Sequence, residues 1–83
     1  MTSIRTINEF LESPRWTAAE KSVIKWQFRL HGDFHTALWD AIKRADDGNL
    51  SRISAGFPDE IAGYIAWTRG GLAGRLREAG LGI

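Results

Sequence analysis

Apolar residues recur at helical spacing along most of this chain, and proline, glycine and capping residues cut the pattern into short lengths. Ile4, Ile7, Phe10 and Leu11 share one face of a helix that Ser13-Pro14 ends, because the residue before a proline avoids helical geometry. Thr17 and Glu20 form a capping-box pattern for a helix over about 18–31, with Gly32 placed to terminate it. Asp33 is a good N-cap for a helix over about 34–45. Asp46-Asp47-Gly48-Asn49 reads as a turn, and residues 50–55 as one or two helical turns. Pro58 suits the first turn of a helix that runs to about Thr68 and stops at Gly70-Gly71. Residues 72–79 make a last short helix, and the tail Gly80-Leu81-Gly82-Ile83 frays. Strand alternation is absent. The pattern predicts an all-α fold, a single compact domain of four to five short helices over residues 1–83, with the helix of 1–13 and the tail 80–83 as appendages.

A domain of 83 residues buries a smaller share of its surface than a larger one. With no cysteine, neither a disulfide nor a thiolate zinc site can reinforce it. Four tryptophans and four phenylalanines supply bulk instead. The stripes predict a core of Phe10, Val23, Trp26, Leu30, Phe34, Leu38, Ile42, Ile61 and Ile65. Some large residues fall outside it. Trp39 and Trp67 project to the side of their helices' stripes, and Ile24 and Phe28 make a second apolar strip on theirs. A second strip fits either a helix sandwiched between layers or one used at an interface. A soluble monomer rarely leaves such surface unemployed, and aromatic side chains dominate the buried anchors of interfaces. Trp67, Trp39, Ile24 and Phe28 are therefore the expected partner-contact residues, with Arg69 and Arg75 as a polar rim. The partner is another protein or a second copy of the chain. The small residues Gly63, Ala66 and Gly70 beside Trp67 leave room for another backbone to approach.

Catalytic and metal signatures are weak. His31 and His35 have the i, i+4 spacing that can place two imidazoles on one metal, but Gly32 lies between them and no third ligand is specified. Asp40, Asp46, Asp47, Asp59 and Glu60 sit mostly at helix starts and turns, where capping explains them. No nucleophile elbow, P-loop or dinucleotide fingerprint occurs, so the expectation is a non-enzymatic protein with no cofactor and no metal. The net charge of +1 gives no general push toward nucleic acid. Lys21, Lys25 and Arg29 nevertheless form one basic line, and Arg69, Arg75 and Arg77 gather near the C-terminus, so nucleic-acid binding is the alternative function. No apolar run approaches a membrane span, and acids stand within residues 1–13 where a signal peptide would be apolar. A cytoplasmic protein is expected.

The stretch Trp26-Gln27, Gly32 through Ile42, Ala45-Asp46, Asn49-Leu50, Arg52, Phe57-Pro58-Asp59-Glu60 and Tyr64 resembles small proteins encoded in bacteriophages and prophages. The resemblance covers about residues 17–69. It implies no activity and carries over no functional residues. It implies a setting, the bacterial host cell, in which such accessory proteins act on a host protein. Inhibitors of host defence, including anti-CRISPR proteins, belong to that class.

Overall fold

The computed structural model describes residues 2–83, and these form six α-helices and no strand: α1 (Ile4–Glu12), α2 (Ala18–Gln27), α3 (Asp33–Arg44), α4 (Asp47–Gly56), α5 (Pro58–Arg69) and α6 (Leu72–Glu78). Six replaces the expected four to five because both marginal segments form helices, α4 with a side-chain cap at its start and α6 with buried Leu72 and Leu76. Asp46, read as part of a turn, accepts a hydrogen bond from the Asn49 amide at 2.8 Å and so starts α4 inside that turn. Gly71, at φ +70, bends the chain from α5 into α6. The Cα radius of gyration of 12.6 Å is that of one packed globule, for which about 12 Å is expected at this length.

Helix α5 is the hub. It packs against α2, α3, α4 and α6, while α1 lies on α2. The α2–α5 crossing is close because Gly63 has no side chain. A Cβ there would stand 2.5 Å from the Ala19 carbonyl oxygen and 2.8 Å from Val23 Cγ2. The backbone that approaches the small face of α5 is thus the chain's own α2. Val23 and Ile24, on neighbouring faces of α2, are both fully buried, so this helix is sandwiched.

The start of α2 is fixed as the sequence implies. Glu20 N–H donates to Thr17 Oγ1 and Thr17 N–H donates to Glu20 Oε1. Its end is not. Helix α2 stops at Gln27, four residues early, in a Schellman turn: Leu30 N–H donates to the Lys25 carbonyl at 2.8 Å and Arg29 N–H to the Trp26 carbonyl at 3.2 Å. Arg29 occupies the left-handed position, φ +56, usually given to glycine. The early stop ejects Leu30 from the stripe it would have continued, and 43% of it is exposed. Asp33 is the first residue of α3 rather than its cap, and Gly32 takes the cap position.

Several expected core positions are corrected by burial. Phe10, Val23, Ile42 and Ile61 are internal, and Trp26 and Leu38 are half-buried against them. Phe34 is 62% exposed and Ile65 43%. Their places are taken by Trp39, Ile24, Trp16, Leu72, Leu76 and Leu81. Leu81 shows that the tail does not fray. Gly80 closes α6 in a second Schellman turn, Leu81 enters the core, and Gly82 N–H donates to Thr2 Oγ1. Arg77 Nε–H donates to the Ile83 main-chain oxygen.

Candidate binding cleft

The aromatic residues first come together as a core element. Trp26 and Trp39 stack with centroids 4.5 Å apart and planes 12° apart. Trp67 meets Trp26 edge-on at 6.3 Å, and Tyr64 tilts against both Trp26 and Trp39. Trp39 and Ile24 are fully buried, so neither can serve as a partner contact. Trp67 and Phe28 are half-buried and packed against the core, which makes them structural first. Replacing Trp67 with alanine is expected to cost about 2 kcal/mol, roughly half of a fully buried tryptophan truncation, measured by thermal unfolding.

The proposed rim is also largely spoken for. Arg75 donates from Nη1 to Glu20 Oε2 at 2.8 Å, tying α6 to the start of α2. Burial pushes the Glu20 pKa up, but hydrogen bonds from the Thr17 amide, Arg75 and the Thr17 hydroxyl outweigh it and hold the carboxyl below its ordinary value. Arg69 pairs with Asp47 at 3.7 Å across two exposed side chains, a contact of small energy.

One open surface lies at the corner where α2 turns into α3. A cleft of about 450 Å³ is lined there by Lys21, Ser22 and Lys25 of α2, Leu30, His31 and Gly32 of the connection, His35 of α3 and Glu60 of α5. His31 also forms part of a second depression of about 330 Å³, with Trp26, Arg29, Thr36, Asp40 and Lys43. Lys21, Lys25 and Arg29 take part in no ion pair among the described residues, whereas Lys43 reaches Asp40 at 3.9 Å. The early end of α2 splits the basic line, leaving Lys21 and Lys25 in the first cleft and Arg29 in the second.

The two histidines do come together, but by stacking. Their ring centroids are 5.3 Å apart and their planes 21° apart, and His31 in turn stacks on Trp39 at 6.3 Å. His31 Nε2 lies 3.2 Å from the Ser22 carbonyl oxygen, so it is the donor in that contact. No group of three or more His, Cys, Asp or Glu close enough to hold a metal occurs among the described residues. Burial pushes the His31 pKa below its ordinary 6.5; the Ser22 hydrogen bond opposes this, charge on His35 and Lys25 reinforces it, and Glu60 opposes it.

The folded-state value being depressed, the unfolded chain takes the proton first. Stability is then fully present above about pH 6.5 and falls as the pH drops from there toward the folded-state pKa. Urea midpoints at about pH 7.5 and about pH 5.5 should show a larger loss for the native protein than for His31→Gln.

Residues of the cleft were individually visible in the sequence, but read otherwise: Leu30 as core, the histidines as a weak metal-ligand spacing interrupted by Gly32, the lysines as the line behind the nucleic-acid alternative. No local signal announces that Arg29 adopts the left-handed conformation that gathers them. No helix of the described residues is long and apolar enough to cross a membrane. No protein-family model, curated protein or solved structure matches the chain.

Proposed function

We propose that this chain is a non-enzymatic protein-binding module that meets its partner at the corner between α2 and α3. The observation that carries the reading is the exposure of two large apolar side chains four residues apart, Leu30 at 43% and Phe34 at 62%, beside an open cleft. Phe34 packs against the Phe57 ring, with centroids 5.8 Å apart and planes tilted by 44°. Exposed aromatics of this kind serve as anchors when a partner covers them. The resemblance to small phage and prophage proteins supports a bacterial host protein as the target. Blocking a host-defence complex, in the manner of an anti-CRISPR protein, is one form of that role.

The test is a double variant, Leu30→Ala with Phe34→Ala. Both side chains are exposed, so the helical signal should be kept, while retention of the partner from a bacterial extract falls about tenfold or more, as for removal of an interface anchor. Undiminished retention would place the contact elsewhere. Self-association through the same corner is the competing protein-binding role. Sedimentation of the native protein as a dimer, and of the double variant as a monomer, would assign the corner to a second copy. The unpaired Lys21, Lys25 and Arg29 favour nucleic acid as the second reading, which requires retention of DNA or RNA that weakens steeply with salt.

A further inference from the structure

The cleft beside Leu30 carries an electrostatic pattern that specifies more than a general protein contact. Lys21 and Lys25 stand one helical turn apart on its α2 wall, and neither has an acidic partner among the described residues. Their separation along the helix axis, about 6 Å, is close to the roughly 7 Å between alternate side chains of an extended peptide. Leu30 offers the cleft an apolar surface. Glu60, from α5, lines the same space. A carboxylate there repels phosphate and carboxylate alike, but it accepts from the N–H groups that a peptide backbone presents along its length. Spacing and mixed donor–acceptor character therefore favour a peptide over nucleic acid, and the two lysines favour an acidic one.

We infer that the cleft between α2 and α3 binds an extended acidic segment of the partner, with alternate carboxylates on Lys21 and Lys25 and an intervening apolar side chain on Leu30. The inference rests on the protein-binding reading and narrows it to a chemistry. His31 reports on occupancy. It shares its two depressions with Lys21 and Lys25 from α2, Arg29 from the connection, His35, Asp40 and Lys43 from α3, and Glu60 from α5. An arriving carboxylate adds negative charge to that set and favours the imidazolium. By linkage, a ligand that raises proton affinity at His31 binds more tightly when His31 is protonated.

The probe is a capped hexapeptide of alternating glutamate and leucine, compared with its lysine–leucine counterpart and with hexathymidylate. Amide and imidazole resonances of the whole protein are followed by NMR. The glutamate peptide is expected to give saturable shifts centred on Lys21, Lys25, His31, Gly32 and His35, and to move the His31 titration upward. Exposed ion pairs are each worth about two- to fivefold in affinity, so Lys21→Ala with Lys25→Ala should weaken binding about tenfold. Lys21→Glu with Lys25→Glu should transfer preference to the lysine peptide, a readout that a binding defect from lost structure cannot produce. Absence of saturable shifts, equal binding of the two peptides, or tighter binding of hexathymidylate would overturn the inference. So would retention of the cellular partner by the double-lysine variant while Leu30→Ala with Phe34→Ala loses it, and that result would leave the protein-binding reading standing.

Discussion

Trp39→Ala should destabilise the domain by about 4 kcal/mol, most of what a chain of this size has to lose. Trp39 is fully buried where α2, α3 and α5 meet, stacked on Trp26 at 4.5 Å and beside Tyr64 and His31. Truncation removes the transfer energy of the indole and leaves a cavity among aromatic rings that cannot collapse into it. One term works in the opposite direction. The buried Trp39 Nε1 donates to no acceptor among the described residues. Leaving such a group unpaired costs about 1–3 kcal/mol, and truncation relieves that cost. Trp39→Phe separates the two terms, because it keeps most of the ring and removes the orphaned donor. Urea unfolding should therefore show a large loss for alanine and a change of less than about 1.5 kcal/mol for phenylalanine. A loss below about 1 kcal/mol for alanine would mean that the ring cluster does not organise the core.

Gly63→Ala gives a second large effect, with a sign that decides its cause. Helix propensity alone makes alanine better than glycine by about 1 kcal/mol. The α2–α5 crossing predicts the reverse. The new Cβ would stand 2.5 Å from the Ala19 carbonyl oxygen and 2.8 Å from Val23 Cγ2, and the nearer obstacle is main chain that cannot swing away. The hub helix would have to withdraw from α2, an overpacking cost at the upper end of the usual range, about 3 kcal/mol. The net expectation is a loss of about 2 kcal/mol, read from the urea midpoint with an unchanged slope. Stabilisation would show that the two backbones are not in close contact.

Fold class was legible because short apolar stripes bounded by Pro14, the Thr17–Glu20 capping box and Pro58 admit little else. Which face of each helix turns inward was less legible, and the errors share a cause. The stripe chosen for α3 ran through Phe34, Leu38 and Ile42; Ile42 is buried and Leu38 half-buried, but the helix turns so that the Trp39 indole, which removes more apolar area from water, is buried and Phe34 is not. On α5, the Gly63–Ala66–Trp67 side was read as a docking face because its small residues admit a backbone; α2 is that backbone. Leu30 was placed by continuing a helix that ends at Gln27, and nothing local marks Arg29 as a left-handed residue, a conformation that costs a non-glycine residue about 1–2 kcal/mol. Leu72, Leu76 and Leu81 were outside the predicted core: residues 72–79 were read as a last short helix and the tail as fraying, whereas all three side chains are buried.

These corrections move the candidate surface rather than remove it. Trp39 is internal, Trp67 and Phe28 are half-buried, and Leu30 and Phe34 are among the large apolar side chains left exposed, Leu30 in a cleft beside lysines that pair with no acid among the described residues. Thermal unfolding of Trp67→Ala beside the Leu30→Ala, Phe34→Ala double variant tests that exchange of roles most directly. For a domain of this size each kcal/mol moves the midpoint by about 4–8 °C. Trp67→Ala should melt roughly 10 °C below the native protein, and the double variant within a few degrees of it. A native-like midpoint for Trp67→Ala together with a collapsed one for the double variant would contradict the account.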